Sequence, residues 1–328
     1  MAIDDNRNTS VVPDPPDAFA PRYPDEGAGF ARYRKLACIG EGGMARVYKA
    51  FDPELDRDVA LKVLPRGIQT TGEKRERFRR EVQLLVGINI PGVIRAYDCG
   101  DHEGWQYFTM ELIEGPTLKD LSHTETLSFD RKLQIIRRLA RILKQLHAQD
   151  IVHRDLKPSN IMFRDNDEPV LTDFGIAKSF ATETRLDLTA EDTRQGTPFY
   201  MSPDKPSVLK DLAVAKKADV YSLAVVAYEL LNNRLPYNVE NLTPHECLTV
   251  IREEPPSDFG EELAIPANVR AAIFQALAKD PEARPDISTF SAQIRAGAKA
   301  PINVRRVIAL VLILLGLLLI LAGIVAGS

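Results

Sequence analysis

The sequence predicts an α+β protein of two lobes, β-rich to about residue 113 and α-rich from about 114. Three observations carry this. Short strand-like runs occupy 33–39, 47–50, 59–64, 93–97 and 105–112. Beyond them, apolar residues recur at spacings of three and four, as on one face of a helix. Between the helical stretches sits a polar string, "IVHRDLKPSN" (151–160), closed by "LTDFG" (171–175). The chain has 328 residues, a length that suggests about two domains. Its 45% hydrophobic content is ordinary for a globular protein. A net charge of −4 gives no reason to expect nucleic acid as a partner. Cys38, Cys99 and Cys247 lie far apart without metal-ligand spacing, and read as thiols in a reducing compartment.

Residues 1–30 read as a solvated leader. They hold five prolines, and six acidic residues against Arg7 and Arg22. Such a composition buries too little apolar surface to order itself. A strand over Tyr33–Ile39 then runs into "GEGGMARVY" (40–48). Glycines at 40, 42 and 43 let a backbone approach phosphates and take φ > 0. Any tight β-turn also uses glycine. The alternating strand "VALKVL" (59–64) places Lys62 among apolar neighbours, where a charge needs a partner. A helical pattern over 73–86 offers Glu81, with Leu84 and Leu85 on an inward-facing turn. Glu81 is equally readable as one more solvated charge in "EKRERFRRE" (73–81). "MELIEG" (110–115) ends the last strand and reads as a hinge.

In the second lobe, "RKLQIIRRLARILKQLHAQ" (131–149) sets Leu133, Ile136, Leu139, Leu143 and Leu146 on one helical face. It delivers the chain into the polar string. There Asp155 can accept a proton from an attacking hydroxyl, and Lys157 can neutralise a transferred phosphoryl group. Asn160 and Asp173 supply oxygens, the ligands a hard cation takes. This set suits phosphoryl transfer, which needs positioning and charge stabilisation more than covalent help. The structural alternative is a polar turn between two hydrophobic segments. Further helical stretches follow at 218–233, 268–279 and 286–297.

"HRDLKPSN" with a "DFG" 18 residues after its Asp resembles the catalytic and metal-binding loops of protein kinases. The pattern around Lys157 and the loop "GEGGMARVYKA" resemble bacterial, receptor-type (Hanks-type) serine/threonine kinases. The resemblance covers about 33–297 and implies the bilobal protein-kinase fold. It implies ATP with Mg²⁺ or Mn²⁺, and transfer to Ser or Thr of protein substrates. Asp155, Lys157, Lys62 and Glu81 take catalytic roles in this frame, with Lys62 pairing with Glu81 and holding the α- and β-phosphates. Asn160 and Asp173 hold metal. Ile39, Gly40, Glu41, Gly42, Gly43, Val47, Ala60 and Met162 surround the nucleotide, and the Glu111 carbonyl and Ile113 N–H bind adenine. Residues 176–195 resemble an activation loop, with Arg154, Thr189, Thr193 and Thr197 regulatory. "GTPFYMSP" (196–203) resembles the segment that docks a peptide, which argues against a small-molecule kinase. Asp219 matches the residue that tethers the catalytic loop. The alternative function is a nucleotide-binding pseudokinase or scaffold. All five of Lys62, Glu81, Asp155, Asn160 and Asp173 are present, which favours the enzyme.

Three positions depart from the family pattern. Ala45 stands for a glycine, and Ala224 for another. Asp204 stands for the usual Glu opposite Arg284, so a longer or water-bridged pair is expected. The domains expected are a leader at 1–30, a kinase domain at 31–297, a basic juxtamembrane segment at 298–306 and a transmembrane helix at 307–326. The last is 20 residues without a charge, enough at about 1.5 Å per residue to span roughly 30 Å. Lys299, Arg305 and Arg306 precede it, which places the kinase domain on the cytoplasmic side of a single-pass cell-membrane protein. Only Gly327 and Ser328 follow, so a tail anchor without an extracellular sensor is expected. Ala322/Ala326 and Gly323/Gly327 form a small-residue face on which a homodimer can pack.

Overall fold

The computed structural model describes residues 23–42, 45–65, 72–124, 127–165, 167–174, 197–204, 211–240, 242–260 and 263–296. The chain divides into two compact units, 1–86 with 96–112, and 87–95 with 113–328.

The first unit is built on a five-stranded antiparallel sheet. Its strands are β1 (Arg34–Gly42), β2 (Ala45–Asp52), β3 (Arg57–Val63), β4 (Ala96–His102) and β5 (Trp105–Glu111), in the order β1-β2-β3-β5-β4. Register sorts the side chains. Val47 lies opposite Lys62, Ala60 opposite Met110, and Lys62 opposite Phe108, so these share one face. The residues between them point the other way and form a closed cluster with Tyr48, Val59, Leu61 and Val63. Phe30 and Tyr33 complete that cluster, 2% and 0% exposed. Residues 23–30, expected to be solvated, are therefore part of the packed sheet unit. Tyr23 is buried, and Gly27, at φ +78°, turns the chain so that its N–H bonds the Leu36 carbonyl. Helix α1 (Gly72–Val86) buries Phe78, Val82 and Leu85, a spacing of four and three. Leu84 is 68% exposed, so of the expected pair only Leu85 faces in. Phe78 meets the Phe108 ring at 6.3 Å.

The second unit is helical: α2 (Leu118–Thr124), α3 (Phe129–Ala148), α4 (Leu212–Asn232), α5 (Pro244–Glu253), α6 (Ala267–Ala276) and α7 (Ile287–Ala296). Ser128 caps α3 by accepting from the Arg131 N–H, and the predicted apolar face is buried. Thr243 and Glu246 close a capping box on α5. A small hairpin, β6 (Ile161–Phe163) and β7 (Pro169–Leu171), was not legible beforehand. Val93, expected to begin a strand of the sheet, instead bridges in parallel to Leu171, and β4 starts only at Ala96. Among the described residues no helix is long and apolar enough to cross a membrane, and 307–326 lies outside them.

Candidate active site

In the helical unit the site is built from the end of α3 onward. Helix α3 stops at Ala148, and Asp150 turns the chain with φ +59°. Asp219, 2% exposed on α4, then gathers three donors. Its carboxylate accepts the His153 N–H at 2.8 Å, the Arg154 N–H at 2.9 Å and His147 Nε2 at 3.0 Å. These bonds hold Arg154 in the left-handed region, φ +65°, a conformation a non-glycine residue keeps only when its surroundings impose it. Arg154 is exposed.

His153 is fully buried, and its tautomer follows from its partners. Nδ1 accepts the Asp155 N–H at 3.3 Å, so Nε2 carries the proton and donates to the Thr172 carbonyl at 2.9 Å. Burial lowers its pKa, which keeps the ring neutral. The ring also lies 4.6 Å from that of Phe174. One buried histidine thus ties the catalytic loop to the segment carrying Asp173.

Asp155, Lys157 and Asn160 converge. Lys157 Nζ lies 3.4 Å from Asp155 Oδ2. Asn160 Nδ2 donates to the Asp155 carbonyl at 2.8 Å and to Oδ2 at 3.0 Å. With its amide nitrogen committed, Asn160 can offer Oδ1 to a cation. The β6–β7 hairpin accounts for the spacing of the two metal candidates. Asn160 precedes β6, Asp173 follows β7, and Thr172 bonds the Asn160 carbonyl through its N–H at 2.9 Å. Asp173 has φ +52°. Among the described residues no group of three or more His, Cys, Asp or Glu could hold a metal alone. Two oxygen ligands fit Mg²⁺ or Mn²⁺ that takes further oxygens from phosphates.

Beyond this core, Met162 lies in β6, bridged to Thr117, and Ile113 is buried. Tyr200, in a 3₁₀ turn over Thr197–Tyr200, donates to Glu229 at 2.7 Å, and Ser222 donates to the Tyr200 carbonyl at 2.7 Å. Arg284 and Asp204 form a direct two-bond pair at 2.7 and 3.0 Å, both side chains buried. This corrects the expected longer or water-bridged contact. The long arginine side chain, also bonded to the Ala278 and Lys279 carbonyls, makes up the missing methylene.

In the sheet unit, Val47, Ala60 and Lys62 share the face described above. Gly40 opposes Val47, and Glu41 opposes Arg46, across the hairpin between β1 and β2. Glu41 and Ile39 are exposed, Gly42 ends β1, and Glu111 ends β5. Glu81 lies within α1, but its side chain, that of Thr197, and Gly43, Thr189 and Thr193 fall outside what is described.

A protein kinase domain model matches residues 33–293. The chain belongs to the protein kinase family. It is 35% identical over 251 residues to the serine/threonine-protein kinase PrkC of Bacillus subtilis, covering 76% of this chain and 38% of that one. It is 34% identical over 258 residues to the serine/threonine-protein kinase PknB of Mycobacterium tuberculosis, covering 77% and 40%. The chain therefore carries a serine/threonine protein kinase domain of the bacterial, Hanks-type branch, and spans well under half the length of these relatives. The fold is shared with the PknI kinase domain of Mycobacterium tuberculosis, at TM-score 0.64 and 23% identity over 84% of this chain and 99% of that one.

Sequence reasoning missed His153, His147, Ser222 and Glu229 as positioning groups. The only signal for His153 was its place in "HRD".

Proposed function

We propose that this protein transfers the γ-phosphoryl group of ATP to serine or threonine hydroxyls of proteins. The convergence of Asp155, Lys157 and Asn160 on a loop tethered through Asp219 carries the reading. The substrate hydroxyl gives its proton to the Asp155 carboxylate as its oxygen bonds the γ-phosphorus and the bond to the β-phosphate oxygen breaks, releasing ADP. Lys157 stabilises charge on the transferred group. Asn160 and Asp173 hold Mg²⁺ or Mn²⁺, which neutralises phosphate charge when bound. Lys62, beside Val47 and Ala60, holds the α- and β-phosphates. The five-residue set favours this over a pseudokinase scaffold.

The exposed Arg154 suits a phosphothreonine partner, which motivates autophosphorylation at Thr189 or Thr193 as the control. The uncharged run 307–326 behind Arg305 and Arg306 supports a membrane anchor with the kinase domain cytoplasmic. Its small-residue face suits pairing of two copies.

Transfer of radiolabelled phosphate to a generic basic protein tests the activity. Asp155→Asn and Lys62→Ala should each remove most turnover, and unchanged activity in both refutes the reading. Carbonate extraction of membranes tests the anchor: the full chain should stay in the pellet, and release into the supernatant contradicts it.

A further inference from the structure

We propose that residues 23–33 form a strap that positions the glycine-rich hairpin, with Tyr23 and Arg46 as positioning residues for nucleotide binding. The strap is anchored at two places. At one end, Phe30 packs edge-on against the rings of His102, Trp105 and Tyr107 at 5.0, 5.9 and 5.3 Å. Phe30 and Tyr33 also exchange backbone hydrogen bonds, both 2.9 Å. At the other end, Tyr48 donates its hydroxyl to the Pro24 carbonyl at 2.9 Å, a buried bond. Beside it the Arg46 guanidinium sits over the Tyr23 ring, 4.7 Å from its centroid.

Arg46 carries that contact into the hairpin. Its Nη2 bonds Glu41 Oε1 at 2.7 Å, and the two residues are register partners next to the glycines. Side chains alternate along a strand. Arg46 and Tyr48 therefore face the strap, whereas Val47 faces the side of Ala60 and Lys62. The strap acts on the hairpin from the reverse of the face that carries Lys62. Glycines at 40, 42 and 43 make this hairpin costly to order. The Tyr23–Arg46–Glu41 chain fixes it beforehand, which lowers the ordering cost of closing on phosphates.

The inference rests on the nucleotide reading above, and the experiment separates the two. Tyr23→Ala, Arg46→Ala and Tyr23→Phe are compared with wild type as full chains in mild detergent. Amide hydrogen exchange over 39–47 is measured without nucleotide, and kcat and KM for ATP with it. Loss of one cation–π contact corresponds to about a two- to fivefold change. Tyr23→Ala and Arg46→Ala should speed exchange over 39–47 and raise KM for ATP by about that factor, with kcat little changed. Tyr23→Phe keeps the ring over Arg46 and should change exchange and KM less than Tyr23→Ala does. Unchanged exchange over 39–47 in the alanine variants overturns the proposal. So does faster exchange spread evenly over the sheet, or a fall in kcat at constant KM. If wild type binds no ATP in calorimetry, the functional reading fails while the exchange arm still decides the strap.

Discussion

Removing the Asp204 carboxylate should cost the helical unit a large part of its stability. The Arg284 side chain is 0% exposed and that of Asp204 3%, and two charge-assisted bonds join them. In Asp204→Ala the guanidinium keeps the Ala278 and Lys279 carbonyls and its place over the Tyr221 ring at 5.0 Å. It loses its paired anion, and dipoles of two carbonyls replace a full charge poorly. Breaking a buried pair from one side costs about 3–5 kcal/mol. Against roughly 5–15 kcal/mol for a typical domain, that is about a fifth or more. Burial and, after it, the neighbouring Arg284 charge depress the Lys279 pKa, so the carboxylate also offsets repulsion between two cations. Urea unfolding followed by far-ultraviolet circular dichroism reads the cost. The double variant Asp204→Leu/Arg284→Met should lose less than Asp204→Ala, because no ion is left buried alone. A loss in Asp204→Ala below about 1 kcal/mol would refute the reasoning.

Asp219→Ala should lower phosphate transfer by about 100-fold or more, because two backbone N–H groups of the catalytic loop lose their acceptor and small misplacements are costly. Steady-state kinetics check this. Gly115→Ala should destabilise the helical unit by about 1–3 kcal/mol in thermal melting, since its Cβ would overlap the Phe163 carbonyl. Burial, with Arg284, lowers the Lys279 pKa to about 8 from 10.5. Between those values the unfolded chain binds the proton and the folded one does not, so stability rises with pH there. Wild type should gain on Lys279→Met from pH 8 to 10.5 in melting temperature, and parallel curves would contradict it.

How much was legible varied with the length of the signal. Helix α3 was readable because twenty residues repeat one apolar face. Asp155, Lys157 and Asn160 were readable because their spacing within one short loop forces them together. Strands β6 and β7 have three residues each, too few for alternation to show, although they bring Asn160 and Asp173 near each other. Leu84 and Leu85 are adjacent on α1, about 100° apart, so only one could face the sheet, and composition cannot choose. The strap was hidden by its neighbours. Tyr23 and Phe30 sit in a stretch whose prolines and acids argue for a solvated chain, and the partners that bury them lie 23 to 77 residues away, from Arg46 over Tyr23 to Tyr107 against Phe30.

Helix α4 shows why a strongly apolar stretch also carries the polar contacts of the site. Val220, Leu223, Ala224, Val225, Val226 and Ala227 are buried, so the helix runs through the core of its unit. Ala224 is wholly buried, and its methyl group is accommodated where the family pattern has glycine. Asp219, Ser222 and Glu229 lie three and ten positions apart, which at about 100° per residue places them within roughly 80° of arc. The first holds the catalytic loop through His153 and Arg154. The other two hold Tyr200, in the segment that resembles a peptide-docking loop. A buried polar group is tolerated only when satisfied, and each of these has its partner. The catalytic loop and the docking segment are therefore referenced to one rigid helix. That arrangement sets where a bound hydroxyl would lie relative to Asp155, and it follows from three polar residues placed on one side of an otherwise apolar sequence.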